Sequence, residues 1–271
     1  MQRTVFFISD GTAITTETLG HSLLTQFPGV SFRQQRIPFV GTPEKAAEAA
    51  ARVEAACAED GAPAIVFLSV IDDATRAVFY RGEGIVLDLF ADFLVTLQRA
   101  LGVAPEASVG RAHGLADVER YEGRIEATNY ALSHDDGMSL SYESADLVLV
   151  GISRTGKTPT CLYMALHFGV KAANYPLTDE DLERQRLPEQ LRQHRNKIVG
   201  LLIDADRLSQ IRETRRPGTR YASLKQCHWE VDAAESLLRA EGIDIFPTTH
   251  SSIEEIASRI LLHLGMQREM Y

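Results

Sequence analysis

The feature that most restricts the fold of this chain is an alternation of short apolar runs with amphipathic helical patterns. The apolar runs cover residues 4–9, 64–70, 84–89, 146–150, 198–203 and 243–246. The helical patterns cover residues 16–27, 43–58, 90–101, 116–132, 157–168, 223–240 and 253–264. Strands that read as uninterrupted apolar runs are buried on both faces, which is typical of parallel sheets covered by helices. The pattern therefore predicts an α/β fold in which a parallel sheet is flanked by helices.

The length of the chain bears on its domain organisation. It has 271 residues, enough for one large α/β domain or for two smaller ones. We place a boundary between the helical patterns at residues 90–101 and 116–132. This boundary predicts an N-terminal α/β domain over residues 1–110 and a P-loop kinase-like, nucleotide-binding domain over residues 111–271.

Composition excludes several classes of protein. The chain carries 28 Lys and Arg against 37 Asp and Glu, a net charge of −9, which argues against a general nucleic-acid binder. Cys57, Cys161 and Cys227 lie far apart without the spacing of a zinc site, which predicts buried free thiols in a reducing compartment. No stretch approaches the roughly 20 apolar residues of a membrane span, and the N-terminus lacks a signal-peptide core. We expect a cytoplasmic protein that binds neither nucleic acid nor membranes.

One motif carries a specific chemistry. Residues 151–158 read GISRTGKT and match the complete pattern G-x-x-x-x-G-K-[ST] between a predicted strand and a predicted helix. In that context backbone N–H groups cradle phosphate oxygens, Lys157 supplies a mobile positive charge and Thr158 offers a hydroxyl to Mg²⁺. A glycine-rich turn that only caps a helix is the alternative, and we favour phosphate binding. The predicted nucleotide-binding residues are Gly151, Ile152, Ser153, Arg154, Thr155, Gly156, Lys157 and Thr158.

Arg154 inside this motif, and the carboxylates that follow the apolar run at residues 198–203, each have alternative interpretations. Arg154 could clamp a second phosphate, or it could be a solvated loop side chain, and the spacing favours neither. The apolar run at residues 198–203 leads into Asp204 and Asp206, and a carboxylate at the end of a neighbouring strand suits Mg²⁺. The alternative is an N-cap for the following helix, a role that Asp206 also suits. Thr158 and Asp204 are the predicted metal residues.

Three polar segments each have a functional and a purely structural interpretation. Residues 211–220, IRETRRPGTR, lie in an arginine-rich region and suggest a mobile flap that closes on a phosphoryl group, with a solvated basic face as the alternative. Residues 134–137, HDDG, contain His134 and Asp135, a pair that can act as acid or base, although spacing alone favours a helix C-cap. Residues 9–12, SDGT, fit a ligand-binding turn or a simple helix entry.

Four segments together resemble those of bacterial phosphoenolpyruvate synthase regulatory proteins and the related pyruvate, phosphate dikinase regulatory proteins. The segments are ISDGTAITTETLGHSLLTQF, HDDG, GISRTGKTP and YASLKQC, at residues 8–27, 134–137, 151–159 and 221–227. The resemblance extends over essentially the whole chain. Its N-terminal segment is closer to the synthase-type branch than to the dikinase-type branch.

This resemblance implies a bifunctional enzyme. One activity would be a serine/threonine kinase that uses ADP as donor, and the other a phosphate-dependent phosphorylase that forms pyrophosphate. The protein substrate would be phosphoenolpyruvate synthase (pyruvate, water dikinase), inactivated by threonine phosphorylation and reactivated by phosphorolysis. The implied ligands are ADP, phosphate and Mg²⁺, without a prosthetic group, and homo-oligomerisation is compatible with this interpretation. We assign Lys157 and Arg154 to phosphate charge and Asp135 or His134 to the base on the acceptor threonine.

Two other classes of function remain as alternatives. The first is a P-loop kinase that transfers phosphate from ATP to a small metabolite. The second is a nucleotide-sensing module that regulates a partner by docking alone, without a covalent mark on the partner.

Overall fold

The computed structural model describes residues 2–105 and 118–266. These residues form two parallel four-stranded sheets flanked by helices, which confirms the predicted α/β class. The chain divides into two compact units, residues 1–114 (unit 1) and residues 115–271 (unit 2). The expected domain boundary at residue 110 and the expected helix start at residue 116 lie outside the described residues.

Unit 1 alternates strands with helices. Its elements are β1 (Gln2–Ser9), α1 (Ile14–Leu24), β2 (Ser31–Ile37), α2 (Pro43–Asp60), β3 (Ile65–Ser69), α3 (Asp73–Ala77), β4 (Ile85–Asp88) and α4 (Ala91–Leu101). The strand order is β2-β1-β3-β4, with every neighbouring pair parallel. The central strands β1 and β3 carry the apolar runs and form the core of the unit.

Local sequence explains where the longest described helix of unit 1, α2, begins and ends. The Thr42 side chain accepts a hydrogen bond from the Lys45 N–H at the start of α2, and Pro43 occupies the first turn, where its missing N–H has no intrahelical partner. Gly61 ends the helix with a left-handed φ of 61°.

The SDGT turn leads from β1 into α1. The Ser9 hydroxyl accepts a hydrogen bond from the backbone N–H of residue 11, and the Asp10 carboxylate accepts one from the backbone N–H of residue 71.

Unit 2 repeats the alternation around a second sheet. Its elements are α5 (Val118–Ser133), β5 (Leu147–Gly151), α6 (Lys157–Phe168), β6 (Ala172–Pro176), α7 (Asp179–Arg184), α8 (Glu189–Arg192), β7 (Ile198–Leu202), α9 (Ala205–Arg215), α10 (Leu224–Ala240), β8 (Ile245–Pro247) and α11 (Ile253–His263). The order is β6-β5-β7-β8, again parallel throughout. The chain therefore adds β6 on one side of β5 and then crosses over to add β7 on the other side. Sheets of this kind bind ligands at the carboxyl ends of the two strands where the crossover changes side, here β5 and β7.

The central strand of unit 2 is buried on both faces. Val148 and Val150 belong to a core shared with α9 and α10, whereas Leu147 and Leu149 belong to a core shared with α6 and α11.

All three cysteines are buried and unpaired, as predicted. In the part of the chain that the structure describes, no helix combines the length and the apolar character needed to cross a membrane.

The structure corrects one prediction and adds elements that were missed. The predicted flap at residues 211–220 is wrong for its first half, because α9 continues to Arg215 and Arg212 is completely buried. The missed elements are β2, β6, α3, α7 and α8. Both missed strands lie at the edges of their sheets, where a strand needs no continuous apolar run.

Candidate functional site

The GISRTGKT loop connects β5 to α6 at the carboxyl edge of the second sheet. Gly151 has no room for a side chain, because a Cβ there would lie 2.5 Å from the Leu201 carbonyl oxygen of β7. Arg154 and Gly156 have left-handed φ angles of 76° and 89°, which bend the loop back over the start of α6. The Thr155 hydroxyl donates a hydrogen bond to the Ile152 carbonyl at 3.0 Å and closes this bend.

Lys157 is held inside the loop. The residue is only 4% exposed, and its Nζ donates a hydrogen bond to the Ile152 carbonyl at 3.0 Å. Burial lowers the pKa of Lys157 to about 8, while the nearby carboxylates of Asp136 and Asp135 act in the opposite direction. The sequence motif predicts a mobile charge here, and the structure instead shows a fixed and desolvated one.

The first turn of α6 contacts the HDDG turn directly. The Thr158 hydroxyl donates a hydrogen bond to Asp135 Oδ1 at 2.7 Å, and the amide of the buried Asn174 donates one to the same oxygen at 2.5 Å. Asn174 Oδ1 in turn accepts the backbone N–H of Asp136 at 3.0 Å. Within the described residues Asp135 Oδ2 has no hydrogen-bond partner. One carboxylate oxygen is therefore fixed and the other is available for a ligand.

His134 makes different contacts from its neighbour in the sequence. Its ring stacks on Tyr130 with centroids 3.9 Å apart. Nδ1 lies 3.0 Å from the Tyr130 carbonyl oxygen and 3.0 Å from the Ser133 hydroxyl, and Nε2 lies 3.0 Å from the Ser141 carbonyl oxygen. Both ring nitrogens are thus occupied, Nδ1 by the last turn of α5 and Nε2 by the segment that connects α5 to β5.

Asp204 and Arg154 lie apart from this cluster of contacts. Asp204 is the N-cap of α9, with Oδ1 accepting the backbone N–H groups of Asp206 and Arg207 at 3.0 and 3.1 Å. No hydrogen bond joins Asp204 to Thr158 within the described residues. Arg154 is exposed and, among the same residues, forms no ion pair or hydrogen bond. Its guanidinium is therefore free to contact a ligand.

A buried ion pair between α9 and α10, which was not predicted from the sequence, also supports the loop. Arg212 is completely buried, and its two terminal nitrogens donate to the Glu230 carboxylate at 2.9 and 2.6 Å. Burial opposes the charge on Arg212, but the hydrogen bonds and charge of Glu230 raise its pKa above the ordinary value. Arg212 Nη2 also donates to the Ser153 carbonyl at 3.1 Å, and the guanidinium lies 4.0 Å from the Tyr221 ring centroid. The Tyr221 hydroxyl lies 2.9 Å from the Ser153 hydroxyl and adds a second link to the loop.

A sequence signal for this pair does exist. Arg212 lies four residues after the buried Leu208, and Glu230 lies three residues after the buried Cys227. Residues three or four apart share one face of a helix, so both charged residues occupy core-facing positions. Opposite charges at core-facing positions of two successive helices are the pattern that indicates a buried pair.

Three of the four arginines in residues 184–197 form ion pairs at the surface. Ion pairs join Arg184 to Glu180, Arg192 to Glu189, and Arg195 to Glu241. These pairs neutralise much of the positive charge that residues 184–197 carry in the sequence. The solvated-face interpretation therefore fits these arginines better than a continuous anion-binding surface does.

Known proteins are similar to this chain over nearly its whole length. A family model described as kinase/pyrophosphorylase matches residues 5–261. A relative from Stenotrophomonas maltophilia (strain K279a), named "Putative phosphoenolpyruvate synthase regulatory protein", is 54% identical over 269 residues, which is 99% of this chain and 98% of that protein. A relative of the same name from Xanthomonas oryzae pv. oryzae (strain MAFF 311018) is 51% identical, with the same coverage. The chain therefore belongs to the kinase/pyrophosphorylase family, a family of phosphotransferase-type enzymes that includes the phosphoenolpyruvate synthase regulatory proteins it resembles.

Proposed function

We propose that this chain is an ADP-dependent serine/threonine kinase and a phosphate-dependent, pyrophosphate-forming phosphorylase that acts on a threonine of phosphoenolpyruvate synthase. The observation that carries the proposal is the arrangement of three side chains at the start of α6. The carboxylate of Asp135, fixed through one oxygen by Thr158, lies in a site that also contains the buried ammonium of Lys157. A base for a hydroxyl group thus lies beside a group that neutralises phosphate charge.

The donor phosphates occupy the GISRTGKT loop in this proposal. The N–H groups at the start of α6 point toward the loop, and the partial positive charge of the helix end favours an anion there. Lys157 exchanges its contact with the Ile152 carbonyl for a phosphate oxygen, a stronger, charge-assisted hydrogen bond. The exposed Arg154 contacts a second phosphate group.

Asp135 acts as the base in the kinase direction. Its free Oδ2 accepts the proton of the acceptor threonine hydroxyl as the threonine oxygen bonds to the β-phosphorus of ADP. The bond between that phosphorus and the bridging oxygen breaks, and AMP leaves with the electron pair. We favour Asp135 over His134 for this role because both ring nitrogens of His134 already face neighbouring acceptors or hydroxyls.

The phosphorylase direction uses the same groups with phosphate as the nucleophile. A phosphate oxygen bonds to the phosphorus of phosphothreonine, the threonine oxygen leaves, and pyrophosphate forms. The proton that the attacking phosphate loses passes to the departing threonine oxygen through Asp135. One proton and one phosphoryl group are transferred, so the step needs no further reactant.

Oxygen donors that follow the neighbouring strands β5 and β7 fit Mg²⁺. Magnesium in phosphoryl-transfer sites takes oxygen ligands and is held by one or two carboxylates together with substrate phosphates. Thr158 supplies a hydroxyl oxygen, and Asp204 has one carboxylate oxygen that does not cap α9. No group of three or more His, Cys, Asp or Glu residues able to hold a metal occurs in residues 2–105 and 118–266. In this proposal the substrate phosphates supply the other ligands. Bound Mg²⁺ would neutralise charge on the phosphates.

The proposal is tested by label transfer from ADP. The purified chain is incubated with phosphoenolpyruvate synthase and ADP that carries ³²P in the β-phosphate, and the labelled residue is identified by mass spectrometry. Label on a threonine, released as pyrophosphate when phosphate is added, is the expected result. ADP labelled in the α-phosphate is the matched control and should yield labelled AMP with an unlabelled protein. Transfer from ATP to a metabolite, or nucleotide-dependent docking without label, would contradict the proposal.

A further inference from the structure

A cleft of about 940 Å³ opens at the carboxyl ends of β7 and β8 in unit 2. One wall is the first turn of α9, and the other is the connection from β8 into α11. Five of the residues that line it carry the polar groups used below: Asp204, Asp206, Arg207, Thr249 and His250. Its volume lies within the range of ligand sites for small molecules.

The cleft lies beside the GISRTGKT loop on the same edge of one sheet. The loop follows β5, β5 pairs with β7, and β7 pairs with β8. Two strand spacings therefore separate the ends of β5 and β8, about 10 Å. A ligand with a phosphate in the loop and an extended body along the sheet edge would reach the cleft. Ligands of open parallel sheets bind at the carboxyl ends of the strands, next to the point where the strand order reverses.

The side chains of the cleft suit a planar heterocycle joined to a polyhydroxylated ring. His250 and Arg207 each present a planar group, and within the described residues neither pairs with a carboxylate. Such groups stack on the faces of nucleobases. The Thr249 hydroxyl accepts the backbone N–H of Asp204 at 2.9 Å and keeps its own proton for donation. The Asp206 carboxylate makes no hydrogen bond within the described residues and can accept ribose hydroxyls.

We infer that this cleft holds the base and ribose of the nucleoside diphosphate whose phosphates occupy the GISRTGKT loop. The inference rests on the proposed function, because it assigns the nucleoside part of the ADP that the loop binds. It gives His250 and Thr249, residues without any distinguishing sequence spacing, a role in nucleotide recognition. It also separates two contributions to affinity: the loop binds phosphates, and the cleft binds the nucleoside.

The test compares ADP with inorganic pyrophosphate, which has the phosphates and lacks the nucleoside. Calorimetric titration in the presence of Mg²⁺ gives Kd for each ligand with the wild type and three variants. His250→Ala should raise Kd for ADP about tenfold, as expected for loss of one stacking partner, and leave Kd for pyrophosphate within twofold. Ser251→Trp, which fills the cleft, should weaken ADP more strongly with the same selectivity. His228→Ala is the matched control, because His228 is an exposed histidine of the same unit outside the cleft.

The outcomes separate this inference from the function on which it rests. If the wild type binds both ligands and both cleft variants bind ADP as the wild type does, the cleft assignment is wrong and the loop assignment stands. Equal weakening of both ligands by His250→Ala would also overturn the cleft assignment. If the wild type binds neither ligand, the proposed function fails, and the inference fails with it.

Discussion

Replacement of Lys157 by methionine should remove a gain in the stability of unit 2, about 2 kcal/mol, that the wild type shows between pH 7 and pH 9.5. Burial lowers the pKa of Lys157 from 10.5 to about 8, so the folded state binds its proton less tightly than the unfolded state does. The charged lysine therefore costs the fold about 3 kcal/mol at pH 7, and about 2 kcal/mol of this is recovered by pH 9.5. Because the unfolded state binds more protons in this window, the wild type gains stability relative to Lys157→Met as the pH rises.

The comparison between two pH values isolates this effect. Methionine has a similar length, and loss of the hydrogen bond to the Ile152 carbonyl costs about 1–3 kcal/mol at either pH. Urea unfolding at pH 7 and pH 9.5 can be followed by the fluorescence of Trp229, the single tryptophan of the chain, which lies in α10 of unit 2. If the difference in unfolding free energy between wild type and variant is the same at both pH values, the lowered pKa of Lys157 is refuted.

Three further substitutions test the contacts around the loop. Glu230→Gln leaves the buried Arg212 without its counter-charge and should destabilise unit 2 by about 3 kcal/mol in urea unfolding, whereas the surface substitution Glu235→Gln should cost less than about 1 kcal/mol. Asp135→Asn should lower the rate of phosphoryl transfer about 10²–10⁴-fold while ADP binding stays within a few-fold, and an unchanged rate would exclude Asp135 as the base. Gly151→Ala forces a methyl group to within 2.5 Å of a β7 carbonyl oxygen and should abolish nucleotide binding or destabilise unit 2, as measured by calorimetry and thermal unfolding.

The central framework of both units could be predicted from the sequence because it depends on local patterns. The apolar runs of β1, β3, β5 and β7 and the helix Lys157–Phe168 coincide with predicted segments. The edge strands β2 and β6 were missed for a physical reason. The segments SFRQQRI and AANYP lack continuous apolar runs, and their conformation depends on hydrogen bonds to β1 and β5, whose pairing is a tertiary property.

In the candidate site too, the local features could be predicted from the sequence and the long-range contacts could not. The loop was predictable because its eight residues are contiguous and flanked by a strand and a helix. The contact between Thr158 and Asp135 spans 23 residues, and the bridge through Asn174 spans 39. Spacing alone favours a helix C-cap for the HDDG turn, because the contact of Asp135 with Asn174 depends on β6, an edge strand that was not predicted. Identifying the Arg212–Glu230 pair requires in addition that two successive helices pack against each other.

The lowered pKa of Lys157 also makes the proposed ADP binding depend on the protonation of this residue. With a pKa of about 8, about half of the ligand-free molecules carry a neutral Lys157 at pH 8. A bound phosphate favours the ammonium form and raises this pKa, so binding at pH 8 should take up about half a proton. Calorimetry in buffers of different ionisation enthalpy measures this uptake directly, with near-zero uptake through Lys157 expected at pH 6.5. Affinity should fall as the pH rises above 8, because an increasing fraction of binding events must first protonate the lysine. Lys157→Met serves as the control for other titrating groups, and equal uptake by wild type and variant at pH 8 would show that Lys157 does not contact the phosphates.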